Sequence, residues 1–509
     1  MKLRNYFLSS LLVLTLAGPA LSQTGAISAD LVQKTSQANF AEFFDLLSLP
    51  NDAVNAQDIQ KNAGWLETAF RKRGFTTRQL PNDGKPLVYA EFTRKAANAK
   101  TVLFYIHFDG QPVVPEQWAQ KTPWNAVLKQ RDAKGAWHDI DRNQLLNGRI
   151  DPEWRLFGRS TSDDKGPIMM FLTAFDVLKA ANQNPAINVK VLLDSEEEKG
   201  SPQIGKVALA NRDLLKSDAI VINDGPMHES NRPTIVFGNR GDTPVRLTVY
   251  GPKSNLHSGH YGNYAPNPAQ LLSALLASMK DDDGRVTVAR YYDGVKLSDD
   301  DRKLLAAVPD DEEALVKRLG ISKPEKVGRN YQEALQYPSL NIRGMAAASI
   351  GDKVANIIPA FAVAELDLRT VPGADPAYLT AALERHIRGK GYYLTKGEPT
   401  DAERAKYDKI ASLVPGGGSK AAIVAPDSPA GKWAQTALAV GGNAQSVVRI
   451  RMMGGSVPTD KLVDALQTPF LLVPLVNNDN NQHSFDENLR IGHFFEGTRA
   501  FANLVTTPF

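Results

Sequence analysis

The chain has 509 residues, of which 42% are hydrophobic and 23% are charged, a composition typical of a soluble globular protein with several domains. The net charge of +3 falls to about +1 without the N-terminal Lys2 and Arg4, so it gives no reason to expect a nucleic-acid or membrane-surface partner. There is no cysteine, which excludes disulfides, thiolate metal ligands and a cysteine nucleophile and leaves His, Asp and Glu to hold any metal.

The first 22 residues have the pattern of a secretory signal peptide. A basic start precedes an apolar stretch over residues 7–17, and small residues occupy the two positions before residue 23 that a signal peptidase reads. The apolar stretch is about half as long as the ~20 residues that a membrane helix needs. We therefore expect residues 1–22 to be removed and the mature protein to be secreted, periplasmic and free of the membrane. A retained N-terminal anchor is the alternative.

Residues 23–240 are predicted to form the first part of a catalytic domain. Helices over 38–75 precede strands that alternate with helices. The strands are apolar at nearly every position, which is typical of a mostly parallel sheet with both faces covered by helices. The strands are 100–106, 187–193 and 218–223, and the helix 166–180 lies between the first two.

The pattern changes near residue 240. The strands 245–251 and 362–371 alternate polar and apolar residues, which predicts a sheet with one exposed face. A polar, acidic segment at 281–335 lies between them. We therefore expect a smaller α+β domain, residues 241–410, inserted into the α/β catalytic domain. The second part of the catalytic domain is then 411–509, where the apolar pattern returns.

Acidic and histidine residues follow the predicted strands of the catalytic domain. His107 and Asp109 are two residues apart and face one side of extended chain, so the carboxylate can orient the imidazole. In an open α/β sheet, ligands bind beyond the carboxyl ends of the strands. The other residues at this edge are Asp163, Asp164, Glu197, Glu198, Asp224 and His483.

This many carboxylates cannot all ionise in one cleft without a compensating positive charge. One or two divalent metals would supply it. Histidine and carboxylate ligands without sulfur fit Zn²⁺, and also Mn²⁺ or Co²⁺. Two metals that share a carboxylate and a water form a known hydrolytic arrangement, in which a nearby Glu can take the proton of the water.

The remaining histidines have structural interpretations. His257 and His260 lie in a glycine-rich loop of the inserted domain, where a histidine is usually structural. The others are expected to be surface residues or core residues with satisfied hydrogen bonds: His138, His228, His386 and His493.

Eight motifs, in order along nearly the whole mature chain, resemble those of the di-zinc exopeptidase and deacylase family. This family includes carnosinases, bacterial dipeptidases, carboxypeptidase G, aminoacylase and succinyl-diaminopimelate desuccinylase, and the versions here are most similar to the carnosinase-like branch. One motif alone is weak, but eight in order are specific. The motifs are HFD at 107–109, GRSTSDDKG at 158–166, EEKGS at 197–201, ND at 223–224, LHSG at 256–259, RTVP at 369–372, GGSVP at 454–458 and HSFDENL at 483–489.

The resemblance implies a metal centre with two divalent ions per chain, expected to be zinc, with cobalt or manganese as alternatives. Asp163 bridges both ions, Asp109 supports His107, and Glu197 is the general base. Glu196 is expected to be a solvated neighbour. The implied metal ligands are His107, Asp163, Glu198, Asp224 and His483.

The resemblance also implies substrate-binding groups. Arg369 and the backbone of Gly455 and Ser456 hold the carboxylate of the substrate, and Asn356 joins them. His257 stabilises the oxyanion in the active site of the other subunit.

That role for His257 predicts a homodimer formed through the inserted domain, which then acts as a lid and dimerisation domain. The strand 245–251 is expected to offer its edge to the partner. The alternative is a monomer in which His257 caps a turn.

The predicted function is a secreted, metal-dependent exopeptidase of dipeptidase or carboxypeptidase type. It would hydrolyse an amide bond next to a free carboxylate, with a water shared by the metals and activated by Glu197. The alternatives are an N-acyl-amino-acid deacylase with the same site and, from another class, a catalytically inactive binding relative. Departures from the family pattern at Met452, Met453, Gly110 and His260 leave the choice of peptide or N-acyl amino acid substrate open.

Overall fold

The structure, a computed structural model, describes residues 27–94, 98–439, 441–455 and 459–509. The predicted signal peptide, residues 1–22, lies outside these ranges. In the described part of the chain, no helix has both the length and the apolar composition that crossing a membrane requires.

Helices and strands alternate along most of the described chain, as the apolar patterns predict. The strands are β1 (Thr76–Leu80), β2 (Leu87–Phe92), β3 (Thr101–His107), β4 (Val127–Arg131), β5 (Trp137–Ile140), β6 (Arg155–Phe157), β7 (Asn188–Asp194), β8 (Ala219–Ile222), β9 (Thr234–Val236), β10 (Gly238–Asn239), β11 (Gly241–Tyr250), β12 (Leu256–His257), β13 (Ser339–Ala346), β14 (Ile357–Ile358), β15 (Phe361–Thr370), β16 (Tyr393–Leu394), β17 (Ile410–Pro415), β18 (Ala422–Ile423), β19 (Val448–Ile450), β20 (Phe470–Leu472) and β21 (Asn488–Arg490). The α-helices are α1 (Ala29–Leu47), α2 (Ala56–Lys72), α3 (Gln144–Asn147), α4 (Lys165–Ala180), α5 (Ile204–Ala210), α6 (Arg212–Leu215), α7 (Ser258–Tyr261), α8 (Pro268–Ala277), α9 (Asp299–Ala306), α10 (Glu312–Leu319), α11 (Tyr331–Ala334), α12 (Pro376–Gly389), α13 (Asp401–Lys406), α14 (Pro429–Leu438), α15 (Thr459–Leu466) and α16 (Ile491–Thr506).

The large sheet has the strand order β1-β2-β7-β3-β8-β20-β9-β19. The central strands β7, β3, β8 and β20 are parallel to one another. Antiparallel pairing occurs towards the edges, where β2 and β9 run against the centre. The predicted α/β class with a mostly parallel sheet is confirmed.

Helices cover both faces of this sheet because its strands are apolar on both sides. In β3, Phe104 and its alternate neighbours face a core shared with α1, α2, α4, α14 and α16. Leu103 and Tyr105 face the opposite core, shared with α5 and α15. Successive side chains of a strand point to opposite faces of the sheet, so a strand that is apolar at every position contributes to both cores. The polar residues predicted to bind metal therefore lie at the ends of the strands or in the loops near them.

The inserted domain contains a five-stranded sheet with the order β13-β15-β11-β17-β16. Helices α8 and α12 pack on one face, against apolar residues such as Leu247 and Leu366. The opposite face carries Arg246 and Glu365, which form an ion pair at 2.6 Å. The separate sheet and its one-sided core match the predicted α+β domain. β17 begins at the predicted boundary, residue 410, and pairs with β11, so the chain leaves this sheet after residue 415.

The expectation that the strand 245–251 offers a free edge is wrong. β11, which contains most of this strand, is paired with β15 on one side and with β17 on the other. Both partners lie more than 100 residues later in the chain, so local pattern could not reveal them. Among the described strands of this sheet, the long strand with an unpaired edge is β13.

Of the four histidines expected to be surface residues or satisfied core residues, three have polar partners. His138 pairs with Asp132, His228 with Ser230 and Asp310, and His386 with Ser278. His493, on α16, differs. It is fully buried, and neither ring nitrogen has a hydrogen-bond partner among the described residues, so the interpretation as a satisfied core histidine is wrong for His493.

Candidate metal centre and active site

Loops at one edge of the large sheet bring six of the predicted residues together. The parallel strands β3, β7 and β8 end at this edge, and the loops before α4 and after β20 reach it. The ligand atoms form two groups, each with all its atoms within 4.8 Å of one another. The groups are His107, Glu197 and Asp224, and Asp163, Glu198 and His483.

Asp163 lies between the two groups. Its Oδ1 is 2.9 Å from Nε2 of His107, and its Oδ2 is 3.1 Å from Nε2 of His483. The same nitrogen of His483 is 3.3 Å from Oε2 of Glu198. One carboxylate therefore reaches the imidazole of each group, as a ligand that bridges two ions must.

The donor atoms fit divalent cations. They are imidazole nitrogens and carboxylate oxygens, which Zn²⁺ binds readily. Oδ2 of Asp163 is buried and forms no hydrogen bond within the described structure, despite the nearby imidazole of His483. A buried carboxylate oxygen that accepts no hydrogen bond is costly, and a cation would satisfy it.

The crowded carboxylates shift one another's pKa values. Burial, and next the charge of Asp224, raises the pKa of Glu197 well above its ordinary value. Burial and the charge of Asp163 raise the pKa of Glu198 to about 7, while burial raises that of Asp224 to about 6. Contact with Asp163 raises the pKa of His483 to about 9. Bound cations would favour ionised carboxylates and neutral imidazoles, the forms that act as ligands.

Asp109 supports both His107 and the two glutamates. It is fully buried, and its Oδ1 lies 3.4 Å from Nδ1 of His107. Its two oxygens also accept the backbone N–H groups of Glu197 at 3.0 Å and Glu198 at 3.1 Å. The carboxylate of Asp109 thus holds both the imidazole at the end of β3 and the turn that follows β7.

The expectation that Glu196 is solvated is wrong. Its side chain is buried, pairs with Lys85 and accepts a hydrogen bond from Nδ2 of Asn82 at 2.9 Å. Both partners lie in the hairpin that connects β1 and β2, far from Glu196 in sequence. Three consecutive glutamates therefore have different environments, with Glu196 turned away from the metal centre.

Sequence reasoning assigned no role to Glu487. This side chain is fully buried and gathers the loop that carries Asp163. Its oxygens accept hydrogen bonds of 2.8–2.9 Å from Arg159 Nη1, the N–H groups of Ser160, Ser162 and Asp163, and the Ser162 hydroxyl. The sequence signal that could have pointed to Glu487 was its position in the matched HSFDENL motif, four residues after His483. The motif does not reveal which residues form hydrogen bonds with Glu487.

The residues predicted to bind the substrate carboxylate lie on separate elements. Arg369 is near the end of β15, where its Nε lies 3.5 Å from Oδ2 of Asp367. Gly455 follows β19 in a loop, and Ser456 lies outside the described residues.

His257 and Asn356 lie together in the inserted domain. The N–H of Ser258 donates to the carbonyl of Asn356 at 2.9 Å, and both His257 and Asn356 are exposed. Nδ1 of His257 accepts the N–H of Gly259 at 3.0 Å. A neutral imidazole that accepts at Nδ1 carries its proton on Nε2, so His257 presents an N–H donor to solvent. Neither group of possible metal ligands in the described chain contains His257.

Comparisons with known proteins agree with this architecture. A model of peptidase family M20/M25/M40 matches residues 103–507. The Cys-Gly metallodipeptidase DUG1 of Saccharomyces cerevisiae is 26% identical over 454 residues, which cover 83% of this chain and 82% of the yeast protein. The Beta-Ala-His dipeptidase of Mus musculus is 25% identical over 497 residues, which cover 95% of this chain and 90% of the mouse protein.

Among solved structures, the M20 family metallo-carboxypeptidase Sso-CP2 from Sulfolobus solfataricus has a similar fold. It aligns with a TM-score of 0.70 and 24% identity, over 92% of this chain and 98% of its own. The likeness covers both the large sheet and the inserted domain.

The family match extends from β3 to α16 and includes every predicted metal ligand, from His107 to His483. The resemblance drawn from the motifs and the predicted class of enzyme, a metal-dependent hydrolase of peptide bonds, are both confirmed. The chain belongs to peptidase family M20/M25/M40.

Proposed function

We propose that this chain is a metal-dependent exopeptidase, of dipeptidase or carboxypeptidase type, that hydrolyses a peptide bond next to a free carboxylate. The observation that carries the proposal is the position of Asp163 between two groups of ligand atoms at the edge of the large sheet. The names of the relatives, which include two dipeptidases and a carboxypeptidase, agree with it.

Five residues would hold the two metals. His107 and Asp224 serve one ion, Glu198 and His483 serve the other, and Asp163 serves both. Zinc suits this set of nitrogen and oxygen donors, and cobalt or manganese would also bind. When bound, the two cations would polarise the scissile carbonyl and acidify the water that attacks it.

Glu197 would take the proton of the attacking water and pass it to the leaving nitrogen. Its carboxylate is close to those of the metal ligands, and its backbone N–H is held by Asp109. A general base must lie within hydrogen-bond reach of the proton that it accepts. A ligand atom of Glu197 lies within 4.8 Å of those of His107 and Asp224, which supports this role for a water held at the first group.

Arg369 would bind the free carboxylate of the substrate. A guanidinium can donate two parallel hydrogen bonds to a carboxylate, which an ammonium group cannot do. In this proposal the backbone N–H groups of Gly455 and Ser456 assist, and Asn356 contributes with His257 from the lid. The substrate is thereby oriented with its last peptide bond towards the metals.

His257 would stabilise the oxyanion of a partner subunit's active site in a homodimer. Its Nε2–H is the kind of donor that a developing oxyanion needs. The unpaired edge of β13, with Ile342 and Met345 exposed, could pair with the same strand of a second copy. Ile350 and Val354, in the segment after β13, are also strongly exposed and would extend such an interface.

Secretion to the periplasm is part of the proposal. Its support is the basic start, apolar stretch and small residues of positions 1–22. Fractionation of cells that produce the full chain would test it, since the proposal requires a mature protein shortened by about 22 residues.

Three substrates of similar size test the proposed reaction: a dipeptide, its C-terminal amide and an N-acetyl amino acid. The free dipeptide should be hydrolysed at least about tenfold faster than the amide, because a hydrogen-bonded charge pair is lost in the amide. Arg369→Lys should reduce this preference, whereas Arg246→Lys, on the open face of the same sheet, should not. Equal rates for the dipeptide and its amide would contradict the proposal, and faster hydrolysis of the N-acetyl amino acid would favour a deacylase.

A further inference from the structure

A cavity of about 630 Å³ lies in the inserted domain, outside the metal centre. Its walls come mainly from the segment between α8 and β13, including helix α10 and tyrosines at positions 292, 331 and 337. This volume lies within the range of about 300–1,000 Å³ that small-molecule pockets have in general. The cavity is therefore large enough for a bulky side chain of a substrate.

Helix α10 leaves its apolar side chains only partly covered. None of its residues is buried, although Leu315, Val316 and Leu319 all line the cavity. Leu319 is 59% exposed, and Ile321 just beyond the helix is 43% exposed. An amphipathic helix normally buries its apolar stripe, so this face has an energetic reason to receive an apolar group.

The inner end of the cavity adjoins the residues proposed to hold the substrate carboxylate. Ser339, which lines the cavity, is the cross-strand partner of Arg369. The side chain of Leu335, also in the cavity wall, lies 3.2 Å from the point that a Cβ on Gly454 would occupy. A ligand whose carboxylate is held by Arg369 and the loop of Gly454 and Gly455 thus lies next to this cavity.

The loop before Gly454 is tied to residues next to the cavity wall and, through Arg240, to the wall itself. Arg451 donates from Nε to Asp301 at 2.6 Å and from Nη1 to Gln336 at 2.7 Å. The N–H of Arg240 donates to the carbonyl of Met453 at 3.2 Å. These bonds hold the segment that lines the cavity against the segment that reaches the carboxylate.

Arg240 forms part of the cavity wall on the side of Arg369. Its guanidinium is mostly buried and donates from Nη2 to the carbonyl of Tyr337 at 2.9 Å. A flat guanidinium stacks favourably on an aromatic ring. The wall therefore suits an aromatic side chain better than an aliphatic side chain of equal size.

We propose that this cavity receives the side chain of the C-terminal residue of the substrate and selects dipeptides that end in a large apolar, preferably aromatic, residue. The inference rests on the proposed function, because it takes Arg369 as the group that holds the carboxylate. Residues 281–340 then determine specificity, while the metal centre determines the reaction.

The test compares Ala-Gly, Ala-Leu and Ala-Phe as substrates of the metal-loaded enzyme. We expect kcat/KM for Ala-Phe to exceed that for Ala-Gly by about tenfold or more, since even one methylene in an apolar pocket changes kcat/KM by about tenfold or more. Leu319→Trp would partly fill the cavity and should lower the ratio of Ala-Phe to Ala-Gly several-fold. Leu209→Trp is the matched control, because Leu209 is also a helical leucine with 59% exposure but does not line the cavity.

The outcomes separate this inference from the proposed function. Hydrolysis of all three dipeptides at similar kcat/KM would overturn the specificity cavity and leave the dipeptidase activity intact. A ratio that Leu319→Trp and Leu209→Trp leave equally unchanged would also overturn it. Failure to hydrolyse any dipeptide would contradict the proposed function itself, and this inference with it.

Discussion

The backbone N–H of Asp163 donates to Oε1 of Glu487 at 2.9 Å. Asp163 lies between the two groups of metal-ligand atoms, and Glu487 lies four residues after His483. The bond thus joins two loops that are more than 300 residues apart in sequence and that each carry a proposed metal ligand. Glu487 does not approach the metal centre as a ligand; it fixes the position from which Asp163 reaches both histidines.

Glu487→Gln should weaken metal binding. The amide would direct an NH₂ donor at one of the N–H groups that the carboxylate now accepts, so the loop of Asp163 would shift. Loss of a residue that supports a metal ligand commonly reduces metal affinity by about 10–100-fold. Calorimetric titration of metal-free protein with zinc measures this directly, and Glu398→Gln, an exposed glutamate of the inserted domain, is the control. Unchanged zinc affinity in Glu487→Gln would contradict the positioning role.

The protein should bind two divalent ions per chain. The two groups of ligand atoms contain too many carboxylates to remain ionised around a single tetrahedral ion. Chelation should abolish activity, and zinc, cobalt or manganese should restore it. Metal analysis by mass spectrometry gives the stoichiometry, and His483→Ala should reduce it towards one. Full activity in a preparation free of metal would refute the metal-dependent reaction.

Glu197→Gln and Glu198→Gln should have different effects. The first should keep both metals but lose activity by at least about 10²–10⁴-fold, because the proton acceptor is removed. The second should lose metal, because Glu198 is the carboxylate nearest to His483 after Asp163. Measurements of metal content and kcat for both variants show which glutamate is the base and which is the metal ligand. If Glu197→Gln lost metal while Glu198→Gln kept it, the two roles would have to be exchanged.

Mixing two inactive variants should restore activity if His257 acts across subunits. In a hybrid of His257→Ala and Glu197→Gln chains, one active site has both an intact Glu197 and an intact His257 from its partner. About half of randomly mixed dimers are hybrids, and each has one good site, so about a quarter of wild-type activity should return. The measurement requires conditions in which subunit exchange is demonstrated by a tagged chain. No recovery after such exchange would mean that His257 acts within its own chain or not at all.

Acid should destabilise the fold through His493. Burial, and next the charge of Arg490, lowers the pKa of His493 to about 3, whereas an unfolded histidine has a pKa of about 6.5. Between these two pKa values the unfolded chain binds more protons than the folded protein. The free energy of unfolding is therefore unaffected by this histidine above about pH 6.5, and below that it decreases by at most about 1.4 kcal/mol for each pH unit of acidification. The free energy of unfolding of His493→Phe should fall less between pH 7 and 5 than that of the wild type. His138→Phe, at an exposed histidine, is the control, and an equal fall in both variants would contradict the prediction.

The grouping of the candidate metal ligands could be predicted from sequence because several of them follow strands whose apolar runs are easy to recognise. His107 and Asp224 come directly after such runs, and parallel strands bring their carboxyl ends to one edge. The environment of Glu196 could not be predicted in this way. Its partners, Asn82 and Lys85, come from a hairpin whose position depends on how β2 pairs with β7.

The same limit applies to the inserted domain. Alternation of polar and apolar residues in 245–251 predicted a strand with one exposed face, which β11 has only in part, because Arg246 is exposed but Thr248 on the same face is buried. It could not predict that β11 is central, because alternation reports burial of a face and carries no information about the partners at the two edges. The cavity beside α10 also escaped prediction, since the residues of 280–340 that line it come together only when this segment has folded.

The sequence by itself determined the α/β class, the inserted domain and the set of residues available to bind metal, because periodicity and residue chemistry are local properties. The tertiary structure alone decided that Glu196 is turned away from the metal centre, that Glu487 holds the loop of Asp163, and that β13 has the unpaired edge. These relationships depend on hydrogen bonds and strand pairings between distant segments, and such contacts exist only once the chain has folded.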